Sequence, residues 1–321
     1  MANDIDPDPF RRTIVLLKES GTKICRKDKM LWIGSCFVES LAPYLLKYQY
    51  KATLNPFGVV FHPLVLLRLL ELEPAEFHKQ SFEKDGVWHN YWLGNPFHGR
   101  TREELNSLIT KTVQKTLAAL NKTSWLVLTW GTAFWYEHNE LGLVGKCHKQ
   151  PQSNFQKRRS EPDEISLAWI EKIKQLRQSN PDLKILLTLS PVRHTRDGLE
   201  GNALSKSTLR LAIQKVVDSL PGVYYFPSFE IVMDELRDYR FFESDLIHPN
   251  TEAIQYIWER FSTHFFPAPE IKTNQTIQAI GQLESHRNLV PYGKEYENRM
   301  AEQKKRRTEL DALIHSELTG F

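Results

Sequence analysis

Four apolar runs constrain this chain more than anything else in it. Met30–Ile33, Ser124–Gly131 ("SWLVLTWG"), Leu183–Val192 ("LKILLTLSPV") and Gly222–Glu230 ("GVYYFPSFE") are dense in aliphatic and aromatic residues and bounded by Gly, Pro or polar turns. Their apolar character is continuous rather than alternating, so each strand they form must be buried on both faces. Between them lie stretches with helical periodicity. Arg102–Leu120 puts Leu105, Leu108, Ile109, Val113, Leu117 and Leu120 on one stripe, and Glu164–Gln178 and Leu204–Leu220 are patterned in the same way. Buried strands alternating with amphipathic helices predict an α/β fold whose parallel sheet is covered on both sides. The 321 residues, 41% of them hydrophobic, suffice for one large core with a small satellite.

In a sheet of this kind, ligands bind beyond the carboxyl ends of the strands. Four segments fall there: Gly34-Ser35-Cys36, Gly131-Thr132, Ser190–His194 ("SPVRH") and the turn "SDLIHPN" around Asp245 and His248. Asp245 and His248 are three residues apart, just before a helix with Ile254, Ile257, Trp258 and Phe261 on its inner face. One compact turn can bring the carboxylate onto one imidazole nitrogen, leaving the other to take a proton from a hydroxyl. Ser35, at a strand-to-helix turn among helix N-terminal amides, offers such a hydroxyl. A plainer reading makes Ser35 a helix N-cap and Asp245 the cap of the following helix. Cys36 is an alternative nucleophile, although a small thiol beside a nucleophile more often packs inertly.

The chain carries 42 basic and 39 acidic residues, a net charge of +3, which calls for no nucleic-acid partner. Three separated cysteines, without a CxxC pair, predict free thiols and no zinc site. The first twelve residues, "MANDIDPDPFRR", lack a signal-peptide pattern and no apolar run reaches membrane-spanning length, so a cytoplasmic location is expected and the two sequons carry no meaning. "GLVGKC" fails the phosphate-loop pattern, because Glu140 stands at the first Gly position and Cys147 at the Ser/Thr position. Asn55–Tyr91 is aromatic and irregular, and His89 and His98 among Trp88, Tyr91, Trp92 and Phe97 form either a sugar-stacking platform or core. The basic run Lys304–Arg307 reads as a solvated helix face.

"IGSCF", "NPFG" (Asn55–Gly58), "GTAFWY" (Gly131–Tyr136), "CHKQP" (Cys147–Pro151), "SPVRH" and "DYRFFESDLIHP" occur in the order that resembles the GSCFA family, a mainly bacterial group. That family is similar to the SGNH, or GDSL-like, hydrolases. The resemblance implies a three-layer α/β/α sandwich over residues 12–266, with 267–321 as a C-terminal helical extension whose apolar stripe is Leu310, Leu313, Ile314 and Leu318. It further implies Ser35 as nucleophile, His248 as base, Asp245 as its orienting acid, and the amides of Ser35 and Gly58 as oxyanion donors. Two departures stand out. The wider group has an acid between the Gly and the nucleophilic Ser, whereas Gly34 and Ser35 are adjacent, and its oxyanion Asn would fall on Ala133, so that Thr132, Asn55 or another donor would have to substitute. Arg193 and His194, at the same edge, are candidates for holding an anionic or sugar group. The expected function is a serine esterase or acyltransferase on a hydroxylated, possibly carbohydrate, ester, needing neither metal nor organic cofactor. The alternative is a binding module that kept the cleft and lost the oxyanion hole.

Overall fold

The computed structural model describes residues 5–7, 13–19, 21–285 and 292–319, so most of the N-terminal stretch read for a signal peptide lies outside the described residues, as do 291 and 320–321. Its centre is a five-stranded sheet of β1 (Met30–Gly34), β2 (Ala52–Leu54), β3 (Trp125–Trp130), β4 (Lys184–Leu189) and β5 (Val223–Phe226). The spatial order is β5-β4-β3-β1-β2, and every neighbouring pair is parallel. The expected strands are therefore present, with the run at 222–230 turning helical after Phe226.

The pleat sends alternate residues to opposite faces, and two cores result. On one face Leu31, Ile33, Leu126, Leu128, Ile185 and Leu187 pack under α2 (Arg102–Leu120), α3 (Pro162–Ser179) and α4 (Gly198–Ser219). On the other, Met30, Trp32, Trp125, Val127 and Leu186 meet α1 (Cys36–Lys47) and α5 (Thr251–Phe265), whose Phe37, Leu41, Ile257 and Phe261 point inward. The result is the expected three-layer α/β/α sandwich.

The C-terminal helices α6 (Ala268–Ser285) and α7 (Lys294–Thr319) belong to the second face, where Ile277, Ile280, Leu310 and Ile314 join its core. A polar clasp reinforces them. Arg26, fully buried just ahead of β1, bonds Glu317 at 2.6 Å, Asn274 at 2.8 Å and the Tyr48 carbonyl, while its amide donates to Glu270. Burying a guanidinium is tolerable only when its donors are matched in this way.

Two insertions were not legible as regular structure. Ser81–Lys84 and Val87–Asn90 form a hairpin, and Phe134–His138, Gly142–Val144 and Phe155–Arg159 form a small antiparallel sheet next to the carboxyl end of β3. Among the described residues no helix is long and apolar enough to cross a membrane.

Candidate active site

Chain order reverses between β1 and β3, because β2 lies outside β1 while β3 to β5 run the other way. Crossovers leave such a pair in opposite directions and open a crevice at its carboxyl end. At this place the backbone turns sharply. Gly34 has φ 155°, and a Cβ there would lie 2.2 Å from the Thr129 carbonyl oxygen of β3, so only glycine fits. Asn55 secures the turn by accepting the Gly34 amide at 2.9 Å.

The turn decides which side chain faces the crevice. Ser35 has extended dihedrals and is fully buried; its Oγ accepts the Phe37 amide at 3.3 Å as the N-cap of α1, and its own amide donates to Thr129. Cys36 is the first residue of α1, and its Sγ lies 3.8 Å from His248 Nε2. The side chain beside His248 is thus that of Cys36, whereas Ser35, expected there, is buried with its Oγ engaged as the N-cap. The sequence carries a local signal for this placement: Cys36, not Ser35, stands two residues after Gly34, the spacing that the resemblance implies for the wider group.

His248 is held by the Asp245 carboxylate. Its Nδ1 is 2.7 Å from Asp245 Oδ2, and Asp245 Oδ1 accepts the amides of Ile247 and His248 at 2.9 and 3.0 Å. The His248 amide, its ring and the Ile247 amide hold the Asp245 carboxyl down to about 2, so it stays ionised at neutral pH and fixes the imidazole tautomer. Burial, with Glu39 adding to it, pushes the Cys36 thiol up, while its own amide and that of Phe37 act against the rise. The thiol therefore rests protonated at neutral pH and needs a base.

Cys36 and His248 open onto a cavity of about 530 Å³. Its lining includes Phe61, His62 and Val65 from the segment after β2, Thr132, Phe134, Trp135, Val144 and Lys146 from the insertion after β3, and Val192, Arg193, His194 and Arg196 from the segment after β4. His194 stands edge-on to Phe61 with its Nε2 buried and unpartnered among the described residues, and burial, with Lys206 and His248 nearby, brings its pKa down to about 3, so it is neutral. Arg193 is turned towards Met233 and the ring of Phe242. Thr132 lines the cavity, yet its hydroxyl is engaged with Ser205 at 3.1 Å and accepts the Phe134 amide. Beneath the floor, Lys206 of α4 is buried and donates to the Gly131 and Ser190 carbonyls at 2.8 and 2.7 Å, tying the ends of β3 and β4. Burial brings its pKa down to about 7 despite the nearby Cys36.

The expected oxyanion donors are otherwise occupied. The Ser35 amide serves Thr129, and the Gly58 amide closes a turn onto the Asn55 carbonyl at 2.8 Å. Gly58 is required there for its φ of 73° and because a Cβ would lie 2.5 Å from the Asn95 carbonyl oxygen. Asn55 Nδ2 is buried without a partner among the described residues, but Asn55 does not line the cavity. Neither do His89 and His98: His89 packs near Phe82 and His148 in the hairpin region. No cluster of His, Cys, Asp and Glu suited to a metal ion occurs among the described residues.

Residues 29–261 match the GSCFA family. No curated protein matches the chain in sequence. A solved structure described as "a putative platelet activating factor from Streptococcus pneumonia" is similar at 12% identity and a TM-score of 0.36, over 73% of this chain and 84% of that one. Such values are too low for any argument about activity.

Proposed function

The chain belongs to the GSCFA family, and on that footing we propose that it is an acyl-transferring enzyme, an esterase or acyltransferase, whose nucleophile is Cys36 rather than Ser35. The reading rests on one observation: Cys36 Sγ, His248 and Asp245 form a line of contacts, 3.8 Å and then 2.7 Å, beside a cavity that Cys36 and His248 both line. The first contact is long for proton transfer in an empty site, where such contacts commonly tighten only with substrate bound.

In this mechanism His248 Nε2 takes the thiol proton as Sγ attacks the ester carbonyl. The developing imidazolium is stabilised by the ionised Asp245. The donor available to the oxyanion is the Cys36 amide, first in α1 and favoured by the helix dipole. Collapse breaks the carbon–oxygen bond, and the alcohol leaves with the proton held on His248. A water or an acceptor hydroxyl then gives its proton to His248 and attacks the thioester, which frees the acyl group and restores the thiol.

An acyl-enzyme test decides the matter. The protein is mixed with p-nitrophenyl acetate, quenched in acid and mapped by mass spectrometry. One acetyl group on Cys36, released by neutral hydroxylamine as thioesters are, is the expected result. Acetylation of Ser35 would return the role to the serine, and a stoichiometrically inert protein would favour the binding-module reading.

A further inference from the structure

The cavity's charge is not balanced from within. Lys157 is paired with Asp197, the one carboxylate among the lining residues, which leaves Lys146, Arg193 and Arg196 as positive groups. Arg196 is exposed and Arg193 is turned towards Phe242, so Lys146 is the innermost of the three. Its ammonium lies over the Phe61 ring, 4.8 Å from the centroid, close enough to Cys36 for the two to interact electrostatically. Among the described residues no carboxylate lies within ion-pair distance of it. A half-buried ammonium over the Phe61 ring and beside Gly94 has lost part of its hydration, and the Glu39 carboxylate acts on it only from beyond ion-pair distance. Burial accordingly lowers its pKa from the ordinary lysine value.

Resting on Cys36 as the reacting group, we propose that this site takes acyl donors bearing a carboxylate near the reacting carbonyl, and that Lys146 is the residue that receives that carboxylate. One ammonium matches one carboxylate charge, whereas a phosphate dianion in the same half-apolar position would remain partly uncompensated. The apolar walls accommodate the short hydrocarbon between the two ends. Lys146 is thus a specificity-determining residue, acting on binding rather than on proton transfer.

The test uses alkylation, which needs only an accessible thiol and not a working triad, so its failure and the failure of the acyl-enzyme reading can be told apart. Rates of Cys36 modification by iodoacetate and by iodoacetamide are measured on the full chain by peptide mapping, with N-acetylcysteine as reference. The iodoacetate-to-iodoacetamide rate ratio at Cys36 should exceed the reference ratio by about tenfold, as one partly screened unit charge a few ångströms away would give. It should fall most of the way back in K146M, be retained in K146R, and shrink in 0.5 M NaCl, a chosen condition on the order of a 4 Å screening length. Succinamate, with one carboxylate and a neutral carbonyl, should protect Cys36 from iodoacetamide better than inorganic phosphate does. A wild-type ratio no greater than that of the free thiol, a ratio unchanged in K146M, better protection by phosphate, or a Cys36 that neither reagent reaches would each overturn the assignment. The wild-type ratio and its salt dependence decide the question even if K146M fails to fold.

Discussion

Replacing Ser35 and Cys36 one at a time separates their roles, because the structure gives the two neighbours different work. Ser35→Ala removes an N-cap whose 3.3 Å bond to the Phe37 amide is long, so the cost should be about 1 kcal/mol. Unfolding entropy of about 2 cal/mol/K per residue means that this shifts Tm by only about 1–2 °C for a chain of this size. Activity should remain within about threefold of wild type, since the cap orients α1 but presents no group to the cavity. Cys36→Ala should do the reverse. The residue is at the cavity wall rather than in the core, so Tm should change little, while kcat/KM for p-nitrophenyl acetate should fall by at least about 10³, or roughly 4 kcal/mol of transition-state stabilisation. Thermal melts and steady-state kinetics on the two variants, with Cys36→Ala/His248→Ala added to check that the second loss is not additive, provide the measurement. If Ser35→Ala lost as much activity as Cys36→Ala with its melting point intact, the reasoning from the N-cap geometry would be refuted.

Cys36 is held above its ordinary value of 9.0, chiefly by burial, so its alkylation by iodoacetamide should go on rising past about pH 10, where an unperturbed thiol would be levelling off; a plateau near pH 7 would contradict this. Asp245→Asn should lower kcat by about 10²–10⁴ through loss of the fixed tautomer, and the wild type should show no acid limb from Asp245 above pH 4, because its carboxyl ionises near 2. Gly34→Ala should destabilise by about 3 kcal/mol or more, read from denaturant melts, since the new Cβ meets backbone that cannot move aside. Arg26→Met should cost about 3–5 kcal/mol by leaving Glu317 and Asn274 without their partner, and limited proteolysis should then cut first within 267–321.

The sheet was legible because strands buried on both faces cannot be anything but apolar throughout, and the helices because their stripes had only one side to bury. The Asp245–His248 turn was legible for a similar reason: three residues suffice to close it, and no distant element takes part. What the sequence left open was orientation. Ser35 and Cys36 are adjacent, and which of them faces the crevice depends on where α1 begins, a matter of one residue that the Phe37 amide and the Thr129 carbonyl decide. The pairing of the Ser35 and Gly58 amides, expected as oxyanion donors, with carbonyls from β3 and Asn55 is likewise set by tertiary contacts. The C-terminal helices show in their apolar stripe, but what they pack on does not: the second core and a buried arginine more than 240 residues away in sequence.

The lysine beneath the cavity floor gives the fold a dependence on proton concentration that runs opposite to that of an ion-paired lysine. In the unfolded chain Lys206 would titrate at the ordinary value of 10.5, whereas in the folded protein it does so near 7. Between those values the unfolded chain holds a proton that the folded one has released, so raising the pH across that window favours folding, and below about 7 the burden of a charge enclosed without an anion is borne in full. Even after release, the amine retains two N–H bonds for the Gly131 and Ser190 carbonyls. The two strand ends that frame the crevice thus stay joined under the mildly alkaline conditions in which a protonated thiol most readily gives up its own proton.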